Sequence, residues 1–531
     1  MRKTRSFAEV NGPWGDRGSY HFEALWSDSV IPHWVTQPSY PGFHHLTKGL
    51  AQIGPEHPGR REFCGRHGGA EGEFGDECAG SDNWYFRGRP FGYGSTARTL
   101  TRKSRTWPLA FSLEGEFDGF GGREMTYDLG VSWSRSENNL NKPGIFTERM
   151  FLAFRGYGGP DCGVGVVPDR ELAQGMRLGP TEGRTPGADG CLYYNPFSNA
   201  LEFSDQPPGS PFHDLPNPDY RPELANDPEL VRWLNGGVSD RRSETELLVG
   251  DFALSGSWIE DRLGYALGYQ FRRFVAEGDP NELGAFTAHP CPVLGDLDCG
   301  LEDRIGPYIT TSMNYPYRED QTVHRVFGEL AIQLSEPIDV QLAADYERYD
   351  QASSVDPKLA LRWRLSDYLT LTGSVQTTFR TPSVDDLTPD VPLTTYQYAR
   401  PAGTWVPIDR YGDPDLDPER AFTFNLGLIA FPTPSIELTV DYWNYDFKDV
   451  IGDVPHNLVV RFYNDPATRD QVSRYLHCRQ GRADPPGVSC APREIVRVEL
   501  PLLNWPGVET AGMDWQLSGW YEWGPAAWSP G

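Results

Sequence analysis

The residues best suited to chemistry are eight cysteines, which fall into four pairs that are local in the sequence. The pairs are Cys64 with Cys78, Cys162 with Cys191, Cys291 with Cys299, and Cys478 with Cys490. Eight cysteines allow many connectivities, so locality alone does not fix the pairing. Zinc binding is the alternative; the absence of a CxxC motif disfavours it, although His477 lies beside Cys478. Disulfides formed in an oxidising compartment are the favoured interpretation.

A second chemical candidate is a short acidic segment. Asp413, Asp415, Asp417 and Glu419 could bind calcium, which favours several carboxylate oxygens. The intervening prolines, and the lack of the glycine that an EF-hand loop requires, argue against such a site. Arg380 could contact a ligand, but packing at a strand end is the favoured role for this side chain.

Motifs of the common enzyme classes are absent. The sequence contains no HExxH, GxSxG or Walker A pattern. With 74 acidic residues, pairs of carboxylates arise by chance and are no evidence for glycoside chemistry. We therefore predict no catalytic residue, no cofactor, no metal ion and no enzymatic activity.

Period-2 alternation of apolar and polar residues predicts long β-hairpins as the elements that carry these segments. In residues 326–334 and 338–346 one face is apolar and the other bears carboxylates, with a short turn at 335–337. The same pattern predicts four further hairpins: 109–117 with 125–133, 252–258 with 265–271, 359–365 with 369–375, and 422–428 with 436–442. No amphipathic helix has a comparable pattern, so the fold is predicted to be all-β.

Very long segments rich in Gly, Pro, Asp and Asn separate the hairpins. They run approximately over 33–105, 157–242, 277–317, 381–420 and 448–503. Loops of this length are rare in compact soluble domains, and soluble strands usually have about five or six residues. Short turns at one end and long loops at the other are typical of outer-membrane barrels. A soluble β-sandwich or propeller is the alternative.

Composition and charge exclude several classes of protein. The net charge of −26 argues against binding to nucleic acid. No apolar run reaches the roughly 18 to 20 residues of a membrane-spanning helix. The N-terminal residues are basic but contain no apolar stretch of the kind found in secretory signal peptides.

Several segments, in the right order, resemble one family, the TonB-dependent outer-membrane receptors. Asn195, Pro196 and Phe197 follow Cys191 in an aromatic-Asn-Pro-Phe stretch. Phe379, Arg380 and Pro382 are similar to the Phe-Arg-x-Pro-Ser signature of the barrel. A further loop signature, with Asp413 in place of the usual Asn, is carried by Gly412, Pro414, Leu416, Pro418 and Glu419. Residues 509–514 resemble the turn that opens a late hairpin.

The resemblance implies a transmembrane antiparallel β-barrel of about 22 strands, with long extracellular loops and short periplasmic turns. We expect residues 1–531 to be an incomplete barrel domain, with roughly 14 to 18 strands and no plug domain. The family takes up scarce nutrients such as siderophores, cobalamin or oligosaccharides, using energy delivered through TonB.

The implied location is the outer membrane of a Gram-negative bacterium. The implied partners are outer-membrane lipid, a small nutrient ligand and the TonB complex, which would act through a plug and a TonB box that we do not find in this chain; no nucleic acid is expected. A soluble all-β carbohydrate-binding or carbohydrate-active protein, or a non-transporting receptor remnant, are the alternatives.

The alternation also predicts the orientation of individual side chains. Those predicted to face lipid are Val340, Leu342, Leu371, Val440 and Tyr442. Those predicted to face the lumen are Asp339, Gln341, Asp345, Glu437 and Asp441.

Overall fold

A computed structural model gives the fold of most of the chain. The residues that it describes are 1–32, 52–69, 74–80, 82–86, 90, 101–119, 123–172, 175–204, 209–259, 262–309, 314–389, 393–478, 481–482, 490–491 and 494–520.

Strands dominate the described residues. In chain order they are β1 (Arg2–Pro13), β2 (Gly18–Ile31), β3 (Gln52–Ile53), β4 (Trp84–Tyr85), β5 (Thr101–Asp118), β6 (Glu124–Gly144), β7 (Val166–Pro168), β8 (Met176–Leu178), β9 (Gly237–Trp258), β10 (Leu263–Pro280), β11 (Tyr317–Ser335), β12 (Ile338–Arg348), β13 (Ser353–Ser366), β14 (Leu369–Arg380), β15 (Leu393–Ala399), β16 (Thr404–Tyr411), β17 (Glu419–Thr433), β18 (Ile436–Lys448), β19 (Val450–Asp453), β20 (Leu476–Cys478), β21 (Gly481–Arg482), β22 (Ile495–Trp505) and β23 (Val508–Gly519).

The helices are short and lie between the long strands. They are α1 (Pro58–His67), α2 (Gly75–Ala79), α3 (Thr147–Phe154), α4 (Pro228–Leu234), α5 (Val384–Leu387), α6 (His456–Asn464) and α7 (Arg469–Val472), with 3-10 turns at Ser198–Ala200, Pro222–Leu224, Glu282–Gly284, Leu301–Asp303, Arg400–Ala402 and Ser473–Tyr475. Among the described helices, none has the length and apolar character needed to cross a membrane.

Thirteen long strands form one antiparallel sheet in which neighbours in space follow each other along the chain. Its order is β1-β2-β5-β6-β9-β10-β11-β12-β13-β14-β17-β18-β23. Short turns join these strands at one end of the sheet, and long segments join most of them at the other. The five predicted hairpins are all present, as β5–β6, β9–β10, β11–β12, β13–β14 and β17–β18. The all-β prediction is confirmed.

Alternation gives the sheet two different faces. Leu342 pairs with Leu330 on one side and Leu359 on the other, and its side chain is exposed, whereas Asp345 on the opposite face is partly covered. Val440 likewise pairs with Leu428, and Asp441 pairs with Gly427. An exposed apolar face backed by a polar one is the arrangement of a barrel wall in lipid.

The last strand of the sheet differs from the prediction. Residues 509–514 lie inside β23, which pairs with β18 along its whole length, from Ile436 with Gly519 to Phe447 with Val508. They therefore form a strand and not the turn that the resemblance implied. The alternation of Thr510, Gly512 and Asp514 with Ala511 and Met513 is the pattern that a two-faced strand needs.

The long segments fold into two lobes at one end of the sheet, each with its own apolar core. Lobe A consists of the described residues of 52–90, 145–236 and 281–309, and its core contains Phe151, Phe154 and Leu230. Lobe B consists of the described residues of 393–411 and 450–505, and its core contains Ile408, Val460 and Val498. Burial of these side chains explains why the long segments adopt fixed structures.

Candidate ligand-recognition site

The inner, polar face of the sheet carries a connected set of charged side chains near the lobes. Arg272 on β10 donates from Nη2 to Glu347 Oε2 at 3.2 Å, and Arg325 on β11 donates from Nε to Asp345 Oδ2 at 2.6 Å. The Tyr349 hydroxyl, just past β12, donates to Glu347 at 2.7 Å. We call these five residues the inner-face network.

Register explains how this network forms. Arg325 lies directly across from Glu347, and Asp345 is two residues away on the same face of β12. Both arginines keep about one third of the side chain exposed, at 33% and 34%. Asp345 Oδ1 is buried without a hydrogen-bond partner among the described residues. The network therefore offers partly exposed guanidinium donors to a ligand or to water.

Tyr349 connects the network to one of the family signatures. Its ring meets that of Phe379 edge-on, with centroids 5.7 Å apart. Burial, with the hydrogen bond to Glu347 as the next cause, raises the pKa of Tyr349 to about 12. The phenol thus stays protonated and keeps donating at neutral pH.

The two barrel signatures meet in space. Arg380, at the end of β14, forms a bidentate pair with Glu419, at the start of β17, through Nε to Oε2 at 2.5 Å and Nη2 to Oε1 at 2.9 Å. Glu419 also accepts the backbone N–H of Ile451 at 2.7 Å. Arg380 thus forms an ion pair at a strand end, and 59% of its side chain stays exposed.

Backbone hydrogen bonds join the segments that carry the two signatures. The N–H of Gly412 donates to Thr388 O at 3.2 Å, and that of Asp413 donates to Asp386 O at 2.7 Å. A Cβ on Gly412 would lie 2.6 Å from backbone atoms of 385–388, so only glycine fits there. Leu416 is buried below this turn.

Side-chain and backbone groups of the acidic segment form hydrogen bonds within the protein. Asp413 accepts the N–H of Asp415 at 2.9 Å, and the N–H of Asp417 donates to Asn504 Oδ1 at 2.8 Å. Glu419 is held by Arg380. Among the described residues, no group of three or more His, Cys, Asp or Glu side chains is arranged to hold a metal ion.

The Asn-Pro-Phe stretch lies inside lobe A. Asn195 is buried; its Nδ2 donates to Asn199 Oδ1 at 2.8 Å and to Leu224 O at 2.9 Å. After Pro196, Phe197 stacks on Phe63, with centroids 5.4 Å apart. These positions join separate loops of the lobe.

Four disulfides link the cysteines in the same pairs that are local in the sequence. The Cα–Cα distances are 5.4 Å for Cys64–Cys78, 4.3 Å for Cys162–Cys191, 5.8 Å for Cys291–Cys299 and 5.9 Å for Cys478–Cys490. The first three lie in lobe A and the last in lobe B. His477 Nε2 lies 2.9 Å from Glu499 Oε1, so its nearest charged group is a carboxylate.

One buried ion pair ties the two lobes together. Arg497 on β22 binds Asp409 on β16 through Nε to Oδ2 at 2.5 Å and Nη2 to Oδ1 at 3.2 Å, and each side chain is 3% exposed. The same guanidinium donates to the carbonyls of Leu301 and Arg304 in lobe A. Sequence reasoning missed this pair, because the partners are 88 residues apart and belong to no recognised motif.

Comparison with known proteins agrees with this architecture. The family described as TonB dependent receptor-like, beta-barrel matches residues 192–474, more than half of the chain. The chain belongs to this family. The resemblance seen in the sequence is therefore confirmed, and so is the barrel fold class. The TonB-dependent receptors are outer-membrane receptors and transporters, which agrees with a sheet that is apolar on one face.

Solved structures give more distant likenesses. The siderophore receptor PirA from Acinetobacter baumannii is 12% identical, with a TM-score of 0.40, and the match covers 97% of this chain and 57% of that one. The ferric enterobactin receptor PfeA from Pseudomonas aeruginosa, as a mutant, is 10% identical, with a TM-score of 0.41 and the same coverages of 97% and 57%. The RagAB peptide importer is 11% identical, with a TM-score of 0.42, and the match covers 98% of this chain and 45% of that one. The chain thus spans about half the length of these proteins, and no curated protein sequence matches it.

Proposed function

We propose that this TonB-dependent receptor chain forms the wall and mouth of an outer-membrane transporter for a scarce nutrient of the siderophore, cobalamin or oligosaccharide class. Uptake would be energised by the TonB complex in the intact protein, in the outer membrane of a Gram-negative bacterium. The observation that carries the proposal is the family match, together with a polar inner face whose charged network lies next to the lobes.

In this proposal the inner-face network contacts the ligand on its way through the barrel. Arg272 and Arg325 each bind a carboxylate and keep about one third of the side chain exposed, so a ligand can accept a further charge-assisted hydrogen bond from each guanidinium group. Planar guanidinium groups suit carboxylates, catecholates and sugar hydroxyls. The lobes limit access of the ligand to the barrel from outside. The barrel positions the ligand and does not catalyse a reaction.

A pair of neighbouring arginines provides a matched test. Arg272 faces inward and binds Glu347, whereas Arg273 faces outward on the same strand and binds Asp320 at 2.6 Å. Cells that depend on this receptor would be grown with the Arg272→Gln or the Arg273→Gln variant, and uptake of labelled ferric siderophore, cobalamin and oligosaccharide measured. We expect Arg272→Gln to weaken uptake of the transported class by about tenfold, on the basis of one charge-assisted hydrogen bond of roughly 1.5 kcal/mol. Arg273→Gln should leave uptake unchanged.

Three results would contradict the proposal. Equal losses of uptake in both variants would show that the inner-face network does not recognise the ligand. Uptake that persists after the proton gradient is collapsed would show that transport does not depend on TonB. Ligand binding without any uptake would favour the non-transporting remnant.

A further inference from the structure

Three aromatic side chains form a line along one face of β18. The ring centroids of Trp443 and Tyr445 are 5.6 Å apart, and those of Tyr445 and Phe447 are 6.1 Å apart with nearly parallel planes. We call these three residues the aromatic ladder. Tyr445 and Phe447 stay 41% and 37% exposed, although β18 has a paired strand on each side. Clusters of exposed apolar side chains are typical of ligand-binding grooves and interaction sites.

Register places the aromatic ladder inside the barrel and not against lipid. A row of directly paired residues crosses the sheet from Tyr445 to Ala343 through Thr423, Gln376 and Lys358. Directly paired residues of an antiparallel sheet point to the same face. Ala343 lies on the face of β12 that bears the carboxylates of the inner-face network, so the ladder also faces the lumen.

Neighbouring small residues let the rings lie along the wall. Gly512 is across from Trp443, and a Cβ on this glycine would lie 2.4 Å from the indole, so the ring covers the glycine. Trp443 Nε1 donates to Asp514 Oδ2 at 2.9 Å, which fixes the indole. Ala421 is across from Phe447. A ring that lies along the wall in this way presents its other face to the lumen.

The inward side chains around the ladder are poor in cations. On the described strands β14, β17, β18 and β23, the inward charged residues are Arg380, Glu419, Glu437, Asp441 and Asp514. Four of these are carboxylates, and the guanidinium group of Arg380 already binds Glu419. Among the described strands, the next inward cations along the wall are on β13, three strands from β18, or roughly 14 Å. Most other inward residues of these four strands are Thr, Ser, Asn or Gln.

A groove of about 700 Å³ crosses the inner face at the level of Trp443. Asn425, across from Trp443, and Ser374, across from Asn425, belong to its lining. The charged residues of the lining are Arg262, Asp339 and Arg362, of which the last two lie across from each other. The volume lies within the roughly 300 to 1,000 Å³ of small-molecule sites. The ladder therefore leads into a groove that can hold a ligand.

The chemistry of these groups distinguishes between classes of nutrient. The negative face of an aromatic ring attracts the polarised C–H groups on the flat face of a pyranose ring. Carboxylates, amides and hydroxyls form hydrogen bonds with sugar hydroxyls. An anionic siderophore would instead meet carboxylates beside the ladder. A line of aromatic rings offers one stacking position after another, which suits a chain of sugar rings better than a compact ligand such as cobalamin.

We propose that the aromatic ladder and the adjoining groove bind a neutral oligosaccharide, with pyranose rings stacked on Tyr445 and Phe447. Its hydroxyl groups bond to inward Asp, Asn and Thr side chains. This inference rests on the proposed function, from which it selects one class of nutrient. Because β18 leads directly into β19 of lobe B, the sugar chain follows β18 from lobe B toward the groove.

The test is isothermal titration calorimetry of the intact receptor, purified in detergent. Maltohexaose, xylohexaose and cellohexaose are the neutral probes, and hexagalacturonate is the anionic probe. We expect at least one neutral hexasaccharide to bind, and the anionic probe to bind about tenfold more weakly because of the carboxylates. Failure of all three neutral probes to bind, or tighter binding of hexagalacturonate, would overturn the proposal.

Variants of Tyr445 test the ladder itself. Tyr445→Leu keeps an apolar side chain but removes the ring, and should weaken binding of the neutral probe about fivefold, as expected for one aromatic contact. Tyr445→Phe keeps the ring and should bind as tightly as the unaltered receptor. Unchanged affinity in Tyr445→Leu would overturn the proposal.

Tyr442 provides the matched control on the opposite face of the same strand. Its ring contacts the outward Phe424, with centroids 5.8 Å apart. Tyr442→Leu should leave the affinity for the neutral probe unchanged. An equal loss of affinity in Tyr442→Leu and Tyr445→Leu would show an effect on the fold of β18 and would also overturn the proposal.

Uptake by cells separates this inference from the proposed function. Ladder-dependent binding of a neutral hexasaccharide, without uptake that needs the proton gradient, would support the oligosaccharide site and contradict the transport function. Gradient-dependent uptake of a ferric siderophore or of cobalamin, without binding of any neutral hexasaccharide, would support transport and overturn the oligosaccharide site.

Discussion

Removal of the Arg497 side chain should loosen lobe B and its contact with lobe A. In Arg497→Met the buried Asp409 carboxylate keeps one hydrogen bond, from Thr394 Oγ1 at 2.9 Å, but loses its ion-pair partner. Breaking a buried ion pair from one side costs about 3 to 5 kcal/mol, because a buried charge is left uncompensated. The carbonyls of Leu301 and Arg304 lose their donor as well.

The double variant separates this explanation from simple loss of packing. When Asp409→Leu is added to Arg497→Met, no unpaired charge remains, and most of the lost stability should return. The two substitutions should therefore be strongly non-additive. Arg410→Met is the matched control: Arg410 is next to Asp409 on β16 and pairs with Asp453 at 2.7 Å, but the two side chains are 40% and 27% exposed. Its loss should cost no more than about 1 kcal/mol.

Hydrogen exchange measured by mass spectrometry follows both lobes at once. Amides of 404–411 and 495–500 should lose protection corresponding to about 3 to 5 kcal/mol in Arg497→Met, and amides of 301–306 should exchange faster. Protection in the large sheet should not change. Additive effects in the double variant, or a loss no greater than that in Arg410→Met, would refute the role of the buried pair.

Three other predictions concern separate parts of the molecule. Burial lowers the pKa of His57 to about 4, so the folded protein favours the neutral imidazole. The free energy of unfolding of lobe A, measured by pulse proteolysis, should therefore fall by up to about 3 kcal/mol as the pH drops from 6.5 to 4. His57→Gln should remove that pH dependence. Leu342→Arg should reduce assembly in the membrane more than Asp345→Arg, because a charge on the lipid face costs about 2 to 4 kcal/mol near the midplane. Assembly is measured as the yield of heat-modifiable barrel on gels. Equal yields for the two variants would contradict this prediction. Gly412→Ala should destabilise its turn by about 1 to 3 kcal/mol, since the new Cβ would lie 2.6 Å from backbone atoms. At Gly65 a new Cβ meets open space, so Gly65→Ala is the control. Protection of the amides of 412–416 against hydrogen exchange should fall in Gly412→Ala and stay unchanged in Gly65→Ala.

The hairpins were predictable because their signal is local. Alternation over nine residues fixes both strand type and face, and a short turn fixes the partner. The hairpin of β1 and β2 was missed as a strand pair, since Val10 on the outward side of β1 is accompanied there by Ser6, Ala8 and Gly12, which give little apolar alternation. Helices such as α1 and α3, of 10 and 8 residues, are too short for a clear period and depend on burial in lobe A.

The candidate site was predictable only where a family signature marked it. Arg380 and Glu419 were singled out individually, but their pairing depends on register between β14 and β17. Arg272, Arg325 and Glu347 carry no motif, and they form a network only because three strands align. Contacts between residues of distant segments are set by tertiary structure, which single-sequence patterns do not encode.

The signatures and the buried pair together explain how lobe B is positioned over the sheet. Glu419 joins β14 to β19 by binding Arg380 and the N–H of Ile451, and Asn504 on β22 bonds to both Asp417 and the carbonyl of Asp449. Lobe B is thus fastened to the sheet at one end, and Arg497 fastens it to lobe A. None of these groups belongs to the inner-face network. Substitutions in the signatures should therefore change where lobe B lies, and with it access to the barrel, while the chemistry offered to a ligand stays the same.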